Sequence, residues 1–532
     1  MTDGATRADR RRWLALIAMA ASVLVVGLDL TVLNLALPTI ATQLHASTSD
    51  LQWFSDSYSL VLAAAILPAG RFGDRFGRKR ILLIALALFG ISSAACSYAS
   101  STGELIAARA VLGIGAAAIF PMSLSVIPVL FRPEERQKAI ALMASATFLS
   151  FPIGPIVGGY LLDNFWWGSV FLINVPIVVL ALIAVFFLLP ESRSGQRPGF
   201  DPIGVVLSSA GLTGLTYGFI EAGQNGWGDT SAVSTIAAGV IVLGIFVAWE
   251  HQRRNGSPLI ELGLFRSRGF TWGTLLTTLI SFAMFGMFFA VPQYFQEVLG
   301  TNALGSGLRL LPMIGGMVVG MIGGTRIASP RKSRDGSPAR APLAGAKLLM
   351  TVGFVIMAAG LGVGALTKFS SGTGYAAIWI AMSGLGMGLA MPQGMNVALG
   401  ALSAERSGSG SALISALRQV GATIGVAILG TVLSSGYHDR LNLTGLPTAA
   451  AGTVRSSVAG GVEVAHKLNS LALLDNVRHA FIHGMDIMLW ACGGIALVSA
   501  VLALIFLPRQ NTASSEPAGA GETSAERAGL GV

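Results

Sequence analysis

Long apolar runs dominate this chain, and short polar segments rich in glycine and arginine separate them. Fourteen runs are long enough to cross a bilayer as helices: 13–37, 52–70, 81–100, 104–128, 138–162, 168–190, 203–223, 232–250, 270–296, 305–327, 343–366, 374–397, 408–435 and 482–507. About 20 mostly apolar residues suffice for one span. The run at 203–223 has the weakest pattern, being rich in glycine and threonine. Counted from a cytoplasmic N-terminus, 27 of the 35 Lys and Arg residues fall on the inner side, 5 on the outer side and 3 (Arg109, Arg309 and Arg418) within runs. That is the distribution the positive-inside rule describes. Removing one run would move every later basic cluster to the wrong face. The pattern therefore predicts an all-α polytopic membrane protein with an even number of spans and both termini cytoplasmic.

Three segments do not span. Residues 328–342, ASPRKSRDGSPARAP, form a basic cytoplasmic loop without apolar periodicity. Residues 436–481 form a long outer segment. Its part 462–481 carries apolar residues at helical spacing and either lies on the membrane surface, covers the mouth of a pathway or is a solvated connection. The tail 509–532 is rich in Ser, Ala, Gly and Glu and is expected to be disordered.

Composition agrees with this reading. Mean hydropathy is +0.68 and only 11% of residues are charged, against about 25% in a soluble domain. Glycine, with 67 residues, lets membrane helices approach closely. The net charge of +9 sits in short loops between runs, so it reports topology rather than nucleic-acid binding. Arginine outnumbers lysine, and alanine is abundant, which suggests a GC-rich, actinobacterial genome and the cytoplasmic membrane of a bacterium. Cys96 and Cys492 lie in apolar runs and supply neither a disulfide framework nor metal spacing. The basic start RADRRRW looks like a signal sequence. The run behind it is too long and is interrupted by Asp29, so an uncleaved first helix is expected. There is no phosphate-cradling loop followed by Lys-Ser or Lys-Thr, no metal cluster and no nucleophile–base pair. Neither an enzyme, an ATP-driven pump nor a resident cofactor or metal is expected.

The first run holds the most informative residue. Asp29, within Leu28–Pro38 (LDLTVLNLALP), lies roughly 24 Å along the helix from Trp13 at 1.5 Å per residue. A charged group inside the hydrocarbon costs about 3 kcal/mol or more, so by default it marks a proton, ion or substrate site. A residue capping a helix end near the outer interface is the alternative. Arg109 in the fourth run lies at a similar depth: roughly 8 Å below the outer start of its helix, with Asp29 roughly 13 Å below the outer end of its own. A cation nearby favours the ionised carboxylate, and desolvation favours the protonated one.

The loop after the second run reads Gly70-Arg-Phe-Gly-Asp-Arg-Phe-Gly-Arg-Lys-Arg80. Positive-inside anchoring explains its cations but not the ordered placing of Gly70, Asp74, Arg75, Gly77 and Arg78. This pattern resembles the signature loop of the major facilitator superfamily. Leu105-x-x-x-Arg109-x-x-x-Gly113-x-Gly115 is similar to that superfamily's fourth-helix motif, with Leu112 where glutamine is common. Gly154-Pro155-x-x-Gly158-Gly159 is similar to its fifth-helix antiporter motif, with Ser150 at the leading glycine. LDLTVLNLALP resembles the first-helix motif of its fourteen-span drug:proton antiporters. Phe171–Pro176 and Gly460–Ala465 bring the chain nearest to the QacA- and SmvA-like exporters of that family.

The resemblance implies two six-helix bundles, 13–190 and 270–507, two extra helices at 203–250, and termini at 1–12 and 509–532. It implies alternating access to a midplane site and proton-driven efflux of amphipathic drugs. Asp29 would carry the coupling proton and Arg109 would bias its protonation. Gly154, Pro155, Gly158 and Gly159 would form a pliable seal against the other bundle. Asp56, Arg418 and Gln419 are candidates for the substrate cavity. Phe282, Phe285 and Phe289 on one face of the ninth span, and Met313, Met317 and Met321 on one face of the tenth, either line that cavity or face lipid and neighbouring helices. Glu221 and Glu297 read as interfacial, and Asp486 has no assigned role.

One departure from the family pattern bears on substrates. The stretches that carry extra acids in QacA-like exporters of divalent cations read Leu311–Met317 and Ile414–Val420 here and hold none. Weak export of divalent cations is expected, with small lipophilic monocationic, zwitterionic or neutral drugs preferred. Protons and membrane lipids are the other expected partners, nucleic acid is not, and a monomer is expected. Two other readings stay open: export of one endogenous metabolite or antibiotic, and a lipid-handling or sensor protein that kept the fold without coupled transport.

Overall fold

The computed structural model describes residues 2–192, 201–252, 260, 262–328, 345–402 and 407–508. The described residues are helical and contain no strand. In chain order the helices are α1 (Thr2–Gln43), α2 (Thr48–Phe76), α3 (Arg78–Ser97), α4 (Thr102–Leu130), α5 (Pro133–Asn164), α6 (Ser169–Leu172), α7 (Asn174–Leu188), α8 (Pro202–Asn225), α9 (Thr230–Gln252), α10 (Arg268–Gln293), α11 (Ala303–Arg309), α12 (Leu311–Ala328), α13 (Ala346–Gly364), α14 (Thr373–Gly400), α15 (Ser407–Arg440), α16 (Thr448–Ser456), α17 (Val458–Lys467) and α18 (Leu471–Phe506). Twelve helical stretches among the described residues are long and apolar enough to cross a membrane. Two more long helices, α2 of 29 residues and α5 of 32, lie among them.

Local chemistry sets the boundaries. Ser47 and Asp50 form a reciprocal cap at the start of α2, Asp50 N donating to Ser47 Oγ (3.2 Å) and Ser47 N to Asp50 Oδ2 (2.9 Å). Ser101, Asn302, Ser457 and Ser470 cap α4, α11, α17 and α18 one way only, each side-chain oxygen accepting a backbone N–H of the first turn. Gly77, at φ +113°, separates α2 from α3 in a backbone conformation that glycine adopts without steric cost.

The observed elements differ from the expected runs in three places. The sixth run breaks at Ile173 into α6 and α7, and the tenth breaks at Leu310 into α11 and α12. The last helix begins at Leu471 rather than 482. Ser470 caps it, and its first turns bury Leu473, Leu474 and Val477. The amphipathic stretch 462–481 is therefore split between the end of α17 and the start of α18, and the outer segment carries two short helices, α16 and α17. The loop expected at 328–342 lies outside the described residues except for Ala328, and so does the tail from 509.

Helices α1 to α7 pack on one another, as do α10 to α18. Glycine permits the closest approaches. A Cβ at Gly384 would lie 2.0 Å from the Met313 carbonyl oxygen, and one at Gly388 would lie 2.0 Å from that of Met317. Met313 and Met317 are accordingly buried where α12 meets α14. Helix α9 packs on α8, and α8 rests on both α2 and α15. Thr431 Oγ1 on α15 donates to the Phe219 carbonyl of α8 (2.7 Å).

The two groups of helices meet along α2–α15, α1–α10 and α5–α11. At the end that holds Asp163 the join is tight. Asp163 accepts from Asn302 Nδ2 (2.6 Å) and from the backbone amides of Ala303 (3.1 Å) and Leu304 (3.4 Å). Gln296 Nε2, in a π-helical turn at Tyr294–Val298, donates to the Leu35 carbonyl (2.9 Å). Thr48 Oγ1 donates to the Ser456 carbonyl (2.8 Å). These bonds close the Asp163 end.

Candidate proton and substrate sites

Five helices bring a polar cluster together inside the first group. Asp29 on α1 is 2% exposed and Arg109 on α4 is 1% exposed. Arg109 Nη1 donates to Asp29 Oδ2 in a buried ion pair. Arg109 Nε donates to the Phe54 carbonyl (2.9 Å), and its guanidinium lies 4.4 Å from the centre of the Tyr58 ring. Asn174 Nδ2, at the start of α7, faces the other carboxylate oxygen at 3.4 Å and donates to Ser93 Oγ on α3 at 3.0 Å. Each ion has several partners, and this is what makes a buried pair tolerable. Removing one partner from such a pair costs about 3–5 kcal/mol.

Asp29 and Arg109, which rise per residue places at one depth, are thus in contact. Asn174 and Ser93 were not singled out in the sequence, although an amide inside the apolar stretch Phe171–Pro176 was itself a signal.

A separate cavity of about 180 Å³ lies between the two groups of helices. Gly27 and Leu30 line it from α1, Phe120 from α4, Phe285 from α10, and Arg418 and Gln419 from α15. Asp29 is not on its wall; it points into the first group. Among the three phenylalanines, Phe285 alone reaches the cavity. Phe282 (8% exposed) and Phe289 (0%) are packed between helices. Asp56 is not in the cavity wall either. It is fully buried in α2, and neither carboxylate oxygen has a hydrogen-bond partner.

The fifth-helix cluster divides its tasks. A Cβ on Gly154 would meet Thr31 Oγ1 at 1.9 Å, and one on Gly158 would meet Val32 Cγ1 at 2.7 Å, both on α1 of the same group. Gly159 faces the other group, where a Cβ would lie 2.5 Å from Leu304 Cα. Gly307 of α11 answers it, with the Pro155 carbonyl oxygen 2.3 Å from its would-be Cβ. Contact with the second group is therefore made at Pro155 and Gly159, while Gly154 and Gly158 pack α5 on α1. Asp163, one turn further along, adds hydrogen bonds to that contact and was not singled out in the sequence.

In the loop, Gly73 faces Met122 of α4 and nothing lies within 4 Å of a Cβ on Gly70. Arg75 stacks over Phe76 at 5.5 Å. Arg78 Nη1 donates to the Ser125 carbonyl (2.9 Å), and Lys79 Nζ donates to that of Phe186 (2.7 Å). Glu191 Oε1 accepts from Lys79 N (3.2 Å), a loop partner the motif did not reveal. The side chain of Asp74 lies outside the described set.

A profile of the Major Facilitator Superfamily matches residues 19–426. The tetracenomycin C resistance and export protein of Streptomyces glaucescens is 33% identical over 93% of this chain and 91% of its own length. The multidrug efflux pump LfrA of Mycolicibacterium smegmatis is 34% identical over 91% and 94%. The methyl viologen resistance protein SmvA of Salmonella typhimurium is 31% identical over 92% and 97%. Among solved structures, an inward-facing, occupied bacterial homolog of the human lysosomal transporter Spinster superposes with a TM-score of 0.66 at 17% identity, covering 94% of this chain and 98% of that one. The chain belongs to the Major Facilitator Superfamily, a family of transporters rather than enzymes. It is a multi-pass membrane protein.

Proposed function

We propose that this chain exports amphipathic drugs or antibiotics across the cytoplasmic membrane of a bacterium, of actinobacterial origin, in exchange for protons. The proton gradient drives it and no cofactor takes part. In this reading all fourteen long helical stretches span, both termini are cytoplasmic, and the Asp163 end faces outward. The helices to either side of α8 and α9 form two bundles that rock about the central cavity. The names of three relatives, two of them efflux or export proteins and one a resistance protein, support the activity. The buried Asp29–Arg109 pair on the helix that also lines the cavity carries the coupling.

The route runs along α1. Ionised Asp29 ties α1 to α4 through Arg109. Protonation removes the charge that holds the guanidinium, which keeps its Phe54 carbonyl and Tyr58 ring. Less than two turns from Asp29, Leu35 accepts the Gln296 hydrogen bond that links α1 to the second group. Thr31 and Val32, between them, press on Gly154 and Gly158 of α5. A shift of α1 as Asp29 gains or loses its proton therefore reaches both outer contacts at once: the drug-loaded form with Asp29 ionised opens outward, and the form protonated from outside closes that end again. Drug leaves and a proton enters; the return to the inward state releases the proton to the cytoplasm.

A second reading, a dedicated exporter of one endogenous antibiotic, draws on the relative named for tetracenomycin C. Efflux of a fluorescent drug from cells, with and without a protonophore, tests the export reading. Export that ignores the protonophore would refute coupling.

A further inference from the structure

The cavity wall has an electrostatic bias that the coupling pair does not explain. Among the described residues that line it, Arg418 is the one charged group. Its Nε donates to Ser281 Oγ at 3.3 Å, and its Nη2 lies 4.0 Å from Met391 Sδ. Among the described residues no carboxylate pairs with it. Asp29, on a helix that lines the cavity, is off its wall and is held by Arg109 and Asn174. Next to Arg418, Gln419 Nε2 is buried without a hydrogen-bond partner and belongs to the same wall. The rest is apolar or carries serine hydroxyls, with Phe120 and Phe285 as the aromatic surfaces.

A guanidinium at this depth without a counter-ion is costly. A ligand that brings an acceptor removes that cost, and the desolvation of the cation has already taken place. Ser281 fixes one edge of the guanidinium, which leaves the Nη edge to receive an oxyanion by charge-assisted hydrogen bonds. A cationic ligand would meet like charge at the same place.

We propose that Arg418 and Gln419 form the recognition site for an acidic oxygen group, such as a carboxylate or an ionised phenol or enol, on an aromatic amphipathic substrate. This rests on the export reading and narrows it from amphipathic drugs in general to those with an acidic group, zwitterions included. The aromatic body of the substrate lies against Phe120 and Phe285.

The test uses the purified full-length protein and a matched pair of dyes: a zwitterionic rhodamine with a free carboxylate, and its methyl ester, a monocation. Fluorescence anisotropy gives both affinities without requiring transport. The wild type is expected to bind the acid at least about tenfold more tightly than the ester, as one charge-assisted hydrogen bond in a desolvated site warrants. Arg418→Met should abolish that preference while leaving ester binding equal or tighter, and Arg418→Lys should retain part of it. Gln419→Leu, which keeps the charge, should cause a smaller loss and decides the matter if Arg418→Met does not fold. Equal binding of acid and ester by the wild type, equal weakening of both by Arg418→Met, or no binding of the acid overturns the assignment. If the acid binds through Arg418 but is not moved by a pH gradient, the export reading fails and the assignment stands. If the ester is exported and the acid does not bind, the reverse holds.

Discussion

The two faces of the fifth-helix glycine cluster predict opposite consequences for the same small change. Gly159→Ala places a methyl group 2.5 Å from Leu304 Cα, 2.9 Å from Leu304 N and 3.0 Å from the Ala303 carbonyl oxygen. All three are backbone atoms and cannot turn aside. Ordinary contact begins at 3.4 Å, so α5 and α11 must separate by roughly 0.9 Å at this point. Overpacking of this kind costs about 1–3 kcal/mol. The movement also stretches the bonds from Asn302, Ala303 and Leu304 to Asp163, each worth about 1 kcal/mol net. In the alternating-access reading the helices touch there only in the state closed at the Asp163 end, so a total near 3 kcal/mol falls on that state alone. It corresponds to a population shift of about 100-fold toward conformations open at that end. Gly158→Ala meets the tip of the Val32 side chain within one group. It should lower thermal stability and leave the conformational balance unchanged. Distance distributions between spin labels at Asn164 and Thr301 read the balance directly. A short distance in the wild type and in Gly158→Ala, with a long one in Gly159→Ala, is expected. An unchanged short distance in Gly159→Ala would refute the reasoning.

Further outcomes follow from the same geometry. Asp29→Asn leaves Arg109 without its counter-ion and should destabilise the fold by about 3–5 kcal/mol; Asp56→Asn replaces a buried carboxyl that has no hydrogen-bond partner by an amide of the same shape and should leave stability nearly unchanged, as thermal melts of the two variants will show. Asn174→Leu removes donors to both Asp29 and Ser93, and a loss of about 1–2 kcal/mol in the same melts is expected. With no acid on the cavity wall among its described residues, the protein should confer little resistance to the dication methyl viologen, despite its likeness to SmvA; growth in a pump-deficient host measures this, and strong resistance lost on Asp29→Asn would contradict it.

Much of this was legible in the sequence because membrane helices obey one-dimensional rules. Apolar run length predicts a membrane-spanning helix, charge in short loops predicts its direction, and rise per residue predicts relative depth. The last of these brought Asp29 and Arg109 to one level without any knowledge of packing. Packing decided what remained hidden. Depth does not say which way a side chain points around its helix, so Phe282 and Phe289 could not be told from Phe285, nor the methionine row of α12 from a pocket lining. Asp163 meets residues 302–304 from about 140 positions away, and no local pattern announces such a contact. The breaks at Ile173 and Leu310 fall inside apolar runs, where hydropathy is blind to the turn of the backbone. The motif glycines were visible as a group, but their division between α1 and α11 depends on which side of α5 each one occupies.

Coupling between the proton and the drug through Asp29 is the centre of the account. The most direct measurement is drug transport in proteoliposomes with an imposed pH gradient, set beside drug-for-drug exchange without one. The wild type should accumulate drug only with the gradient and should exchange drug in its absence. Asp29→Asn should lose gradient-driven accumulation and keep exchange, which shows a folded transporter that has lost its proton. Accumulation by Asp29→Asn at the wild-type rate would contradict the account.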